Sequence, residues 1–185
     1  MDLKEPKIRD LFFNKQVDQS SIGELTKSIV EIINDDKHLK KISKIMGYKY
    51  EPKPINIYID SYGGHVYQIL GLISIIEKSK TPIHTIVTGC AMSCGFLLLL
   101  SGHKRFAYPL STVLYHQVSN GVWGKLKDIE DDISETKRLQ KILEDFTMRK
   151  TNISEAKLKD VFVKKIDWYI PAEEALNLGI VDEIL

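Results

Sequence analysis

Between residues 55 and 116 the sequence switches repeatedly between two hydrophobic periods, and this restricts the fold more than any other feature. Ile55-Asn56-Ile57-Tyr58-Ile59-Asp60 alternates with a period of two, as a strand does. The turn Ser61-Tyr62-Gly63-Gly64 follows. Ile69, Leu72, Ile73 and Ile76 then recur at helical spacing across Val66 to Ser79. Ile83 to Thr88 is strand-like again, ended by Gly89, and Ala91 to Leu100 is almost wholly apolar, as a buried helix is. Arg105 to Tyr108 and Thr112 to His116 read as two more short strands. Strands alternating with helices through short connections predict an α/β fold on a parallel sheet with right-handed crossovers.

The flanks extend this pattern into a single domain over residues 1–185. Residues 1–10 read as a polar arm and Leu11-Phe12-Phe13 as a first strand. Ser21-Ile22-Gly23-Glu24 fits a capping box with Ser21 as the cap. Ile22, Leu25, Ile29, Ile32 and Ile33 follow on one helical face. Asp35 to Pro54 reads as a helix tail or short amphipathic helix, then an exposed connection. Its lysines alternate with Leu39, Ile42, Ile45 and Met46, which favours a solvated face over a dedicated anion-binding patch. Lys125 to Lys150 predicts a long amphipathic helix, with more apolar positions than one small sheet can cover. Ser154 caps another helix, and Pro171 suits the first turn of a last helix that Gly179 ends.

Composition excludes several functions. Lys+Arg is 26 against Asp+Glu 25, so the net charge is +1 and no overall basic surplus exists to neutralise nucleic-acid phosphates. The longest uninterrupted apolar run, Phe96–Leu100, is far shorter than a membrane span. The opening MDLKEPKIRD has no apolar signal core. Cys90 and Cys94 lack Cys-x-x-Cys spacing and suggest a reducing compartment. A cytoplasmic location is expected, without nucleic-acid or membrane partners.

Three places could carry chemistry. Gly89-Cys90-Ala91-Met92-Ser93-Cys94-Gly95 spans a strand-to-helix turn. A hydroxyl there is exposed beside unpaired helix amides that can stabilise an oxyanion. Ser93 is the one hydroxyl in the segment, although small residues for close helix packing explain the segment better when it is taken alone. His116 ends a strand at the sheet edge where α/β folds place their sites, or is simply structural. Asp167, before Trp168-Tyr169-Ile170, can orient a histidine, or is an ordinary turn residue. His65 follows the Gly63-Gly64 turn and can line the same cleft. Cys90 and Cys94 read better as small buried thiols than as nucleophiles.

Taken in order, Asp60-Ser61-Tyr62-Gly63-Gly64, the Gly89–Gly95 segment, Lys104 to Ser111, His116-Gln117, Asp167 to Ala175 and Leu178 to Asp182 resemble the proteolytic subunit of the Clp protease. The resemblance runs from about Asp10 to Leu185. It implies a crotonase-like α/β fold with parallel strands, helices and a protruding strand-helix handle over about 118–150. It implies a serine endopeptidase with Ser93 as nucleophile, His116 as general base and Asp167 as orienter. The backbone amides of Gly64 and Cys94 would form the oxyanion hole. It further implies stacked seven-membered rings of this chain (a tetradecamer), a Clp-type ATPase unfoldase as partner and unfolded polypeptides as substrates. No metal or cofactor is expected, the ATP being used by the partner. The sequence departs from the family's pattern at Tyr62 and Val118, where proline is usual, and at Cys94, where methionine is usual. A catalytically silent barrel subunit is a competing reading, but such subunits typically lack a triad residue. An acyl-CoA enzyme on the same fold would need acidic catalytic residues that have no match here.

Overall fold

The computed structural model describes residues 8–185, so most of the polar arm expected over 1–10 lies outside the described residues. Within them the expected α/β architecture is found. In chain order the elements are β1 (Asp10–Phe13), α1 (Gln19–Ile45), β2 (Ile55–Ser61), α2 (Val66–Lys78), β3 (Ile83–Met92), α3 (Cys94–Ser101) and β4 (Lys104–Ala107). They continue with β5 (Thr112–Tyr115), α4 (Leu126–Lys150), α5 (Glu155–Lys164), β6 (Trp168–Pro171), α6 (Ala172–Asn177) and β7 (Glu183–Ile184). The sheet order is β1-β2-β3-β4-β7, all parallel. β5 pairs in parallel with the end of β3, and β6 joins β5 antiparallel, the one antiparallel pairing among the described strands.

β2 shows how alternation becomes a core. Ile55, Ile57 and Ile59 are fully buried. Tyr58 on the opposite face stacks on Phe12 with ring centroids 5.0 Å apart. All eight residues of α3 are buried, as its unbroken apolar run requires. It packs on β3, α2 and α4.

Helix α1 differs from its expected start. Its cap is Asp18, whose carboxylate accepts from the Ser21 amide at 2.8 Å, while the Asp18 amide donates to Ser21 Oγ at 3.1 Å. Ser21 is therefore the third helical residue rather than the cap, and Glu24 pairs with Lys15 at 2.7 Å. The helix then continues unbroken to Ile45, absorbing the expected helix tail. Asp36 anchors its middle, bound by Arg9, by Tyr50 Oη at 2.6 Å and by Thr81 Oγ1 at 2.7 Å.

Two boundaries also move. β3 does not stop at Gly89 but continues to Met92, so α3 begins at Cys94 instead of Ala91. Pro171 ends β6 and caps α6 rather than sitting inside its first turn. Ser154 caps α5 as expected, accepting from the Lys157 amide at 3.2 Å. Ahead of α4, residues 117–125 have no regular structure. An isolated strand there has no neighbouring backbone to complete its hydrogen bonds.

Candidate active site

The site begins at a bend in β3. Ile83 to Val87 lie between β2 and β4, whereas Cys90, Ala91 and Met92 pair with Thr112, Val113 and Leu114 of β5. Asp60 props the bend: its Oδ1 accepts from the Cys90 amide at 3.0 Å. A Cβ on Gly89 would lie 2.6 Å from that same oxygen, so the close approach needs glycine.

Ser93 stands between β3 and α3 with φ 53° and ψ −118°, a conformation that non-glycine residues rarely adopt. Its amide donates to the Leu114 carbonyl at 3.0 Å, which fixes it beside the end of β5. Its hydroxyl makes no capping bond to α3. Strain held by surrounding hydrogen bonds is characteristic of functional turns.

His116 and Asp167 come together through strand register. β5 and β6 pair Tyr115 with Trp168, and one step beyond that pair His116 faces Asp167. His116 Nδ1 lies 3.4 Å from Asp167 Oδ1, with the Asp167 side chain 61% exposed. Asp167 is thus an exposed residue just ahead of β6. No hydrogen bond joins Ser93 to His116 among the described residues.

The Gly63-Gly64 turn closes over the Ser93 turn. A Cβ on Gly63, whose φ is +95°, would lie 2.6 Å from the Met92 carbonyl oxygen and 2.9 Å from the Cys94 amide nitrogen. Around Gly64, Val17 donates to the Gly63 carbonyl at 2.7 Å and accepts from the His65 amide at 2.8 Å. Neither bond uses the Gly64 N–H. The Cys94 N–H, in the first turn of α3, lacks an intrahelical acceptor. The two amides assigned by resemblance as oxyanion donors are therefore adjacent in the fold.

The cysteines behave as buried thiols. Burial pushes the Cys94 thiol up to about 11, and its Sγ donates to the Gly64 carbonyl at 3.1 Å. Burial, with help from Asp60, also pushes Cys90 up to about 11. Neither forms a thiolate readily. Two other histidines lie apart from the site. His103 bonds the Ile83 amide and the Ile76 carbonyl, both at 3.0 Å, and His84 packs against Phe106. His65 stands at the N-cap of α2 beside the glycine turn, and its side chain makes no capping bond.

Past His116, a groove of about 600 Å³ runs between the 117–122 segment, α4 and α5, lined by Gln117, Val118, Ile133, Gln140 and Phe162 among others. Its size suits a few residues of extended peptide. Gln140 reaches across it from α4 to accept from the Val118 amide at 2.8 Å. Sequence reasoning assigned no role to Gln140, Val17 or Ser61. For Ser61 a signal was present: a serine two residues before a glycine turn can bond its own backbone. No group of three or more His, Cys, Asp or Glu among the described residues is placed to hold a metal ion. No helix among them is long and apolar enough to cross a membrane.

A family model described as Clp protease matches residues 9–185. The ATP-dependent Clp protease proteolytic subunit of Deinococcus radiodurans is 35% identical over 134 residues, covering 71% of this chain. The match spans 64% of that relative's own length.

Proposed function

The chain belongs to the Clp protease family, and from that premise we propose that it is a serine endopeptidase cleaving unfolded polypeptides inside a ring-shaped chamber. Ser93 is the nucleophile, His116 the general base and Asp167 its orienter. The observation that carries this reading is the convergence of the strained Ser93 turn with the facing ends of β5 and β6, which hold His116 Nδ1 3.4 Å from Asp167 Oδ1.

In this mechanism Asp167 accepts a hydrogen bond from His116 Nδ1–H, which holds the tautomer whose Nε2 takes the Ser93 hydroxyl proton. Ser93 Oγ attacks the scissile carbonyl, and the oxyanion is received by the Gly64 and Cys94 amides. His116 then returns the proton to the departing amine. Water, deprotonated by His116, cleaves the acyl ester and releases Ser93. The Ser93–His116 hydrogen bond forms when assembly or substrate draws the 116–118 segment inward, since catalytic bonds are often loose without substrate. The chamber is a stack of two seven-membered rings of this chain in the cytoplasm. An ATP-driven Clp-type unfoldase feeds it, and the chain itself needs no cofactor. The groove beside Val118 and α4 receives the peptide.

A catalytically silent barrel subunit is the second reading, favoured by the absent Ser93–His116 bond and the exposure of Asp167. A serine-directed fluorophosphonate followed by peptide mapping separates the two. Ser93 is expected to carry the label. Ser93→Ala is expected to lose it and to lower peptide turnover by about 10⁴–10⁶-fold. An unlabelled Ser93 in the assembled protein, or near wild-type turnover in Ser93→Ala, overturns the peptidase assignment.

A further inference from the structure

The Gly63-Gly64 turn can serve as half of an oxyanion hole only if its peptide planes are held still. Glycine contributes no side chain for that purpose and has more backbone freedom than any other residue. The restraint has to come from neighbours, and Ser61 is placed to supply it. Its side chain is 1% exposed. Its hydroxyl donates to the Lys15 carbonyl at 2.6 Å and accepts from the Gly63 amide at 3.2 Å. A hydroxyl has one proton. Because that proton goes to Lys15, a lone pair of the oxygen is left facing the Gly63 N–H, and the orientation has no alternative.

The Lys15 end of this link also matters. Lys15 and Val17 lie on the connection between β1 and α1. Val17, fully buried, brackets Gly64 by donating to the Gly63 carbonyl and accepting from the His65 amide. The Gly63 carbonyl and the Gly64 N–H belong to one planar trans peptide and point in opposite directions. Drawing the carbonyl toward Val17 therefore turns the Gly64 N–H away from it. Ser61 ties the same connection to the turn two residues earlier, so the bracket and the turn move as one body. On the far side, the Cys94 thiol holds the Gly64 carbonyl, linking the turn to the start of α3.

We propose that Ser61 is a positioning residue for the oxyanion hole, its buried hydroxyl locking the 15–17 connection to the Gly63-Gly64 turn so that the Gly64 amide faces the oxygen of the carbonyl attacked by Ser93. The inference rests on the peptidase reading above. Ser61 touches no substrate, so its loss acts on stabilisation of the developing charge and leaves both peptide binding and the base alone.

The full chain in its assembled state provides the test, with a short fluorogenic peptide as substrate. For Ser61→Ala, kcat is expected to fall by about 10–100-fold, somewhat less than deletion of an oxyanion donor. KM is expected to stay within about twofold and the midpoint of the pH–rate profile to stay in place. A peptide aldehyde, whose tetrahedral adduct needs the oxyanion donors, should bind more weakly by a similar factor, while a cleaved product peptide should bind as before. Ser61→Cys keeps an acceptor and a weak donor and is expected to recover part of kcat. It carries the test if the alanine variant fails to fold. Wild-type kcat in Ser61→Ala, or in Ser61→Cys where alanine does not fold, overturns the proposal. So does a loss confined to KM, or a displaced pH midpoint. Ser93→Ala is run alongside. If it stays active, the peptidase reading falls and takes this inference with it. If it is inactive while Ser61→Ala is normal, only the role of Ser61 falls.

Discussion

At the scale of single residues, Asp36 shows how a charge can sit inside this fold. Its carboxylate is only 4% exposed, yet Arg9, Tyr50 and Thr81 all donate to it. Burial pushes the Asp36 pKa up, but the hydrogen bonds from Arg9, Tyr50 and Thr81 outweigh it and hold the carboxyl below the usual carboxylate range. The same contact and burial push Tyr50 up to about 12. A carboxyl depressed in the native state contributes its full stabilisation above the ordinary carboxylate pKa. It loses that contribution as pH falls through its native value. Asp36→Asn leaves the Arg9 guanidinium without its counter-charge and is expected to cost about 3 kcal/mol. Urea unfolding at several pH values checks this. The variant should be less stable than wild type at neutral pH, and the gap should shrink in acid, where the wild-type carboxylate is itself protonated. A constant gap across the acid range would remove Asp36 from the account.

At the scale of elements, the C-terminal third is attached through Arg105 on β4. Its guanidinium donates to Asp182 at 2.5 and 3.1 Å, to the Lys150 carbonyl at 2.6 Å and to the Gly179 carbonyl at 2.9 Å. One side chain thus binds the end of α4, the turn after α6 and the approach to β7. Lysine is equally charged but cannot present a planar fork to several acceptors. Arg105→Lys is therefore expected to lower unfolding free energy by about 2 kcal/mol, from the carbonyls it leaves unpartnered. Hydrogen exchange should show the loss concentrated at the end of α4 and at β7, with α2 and α3 unchanged. Uniform loosening across the sheet would mean that Arg105 is not the attachment.

For the whole molecule, an exposed apolar surface lies around the start of α4. Trp123 is 97% exposed and Leu126 76%, with Val122 and Ile133 nearby also open. A chain that left this surface in water would be prone to association. It is the face by which the proposed rings would meet, and strand pairing between copies would give residues 117–125 the backbone partners they lack in one chain. Analytical ultracentrifugation is expected to find a particle of two stacked seven-membered rings. Trp123→Glu combined with Leu126→Glu is expected to break it into smaller species with much reduced peptidase activity. A stable, active monomer that digests folded proteins without ATP would overturn both the assembly and the restricted chamber.

Local pattern determined a large share of this protein. The period-two run at Ile55–Asp60 and the helical spacing from Val66 placed β2 and α2 almost to the residue, because burial of one face imposes those periods on the sequence itself. Family resemblance singled out Ser93, His116, Asp167, Gly64 and Cys94. Tertiary structure decided what local pattern does not encode. Gly89 looks like a strand end, but Asp60, from a neighbouring strand, accepts from the Cys90 amide and carries β3 onward to Met92. Ser21 looks like a helix cap, but its hydroxyl bonds to the Gln16 carbonyl at 2.6 Å and Asp18 caps instead. His116 and Asp167 meet because β6 runs antiparallel to β5 in one particular register, and a slip of one residue would send the two side chains to opposite faces. Pairing between distant strands is settled by the hydrogen bonds and the burial of the entire sheet. Neither strand contains that information alone, and the geometry proposed as catalytic therefore exists only in the folded chain.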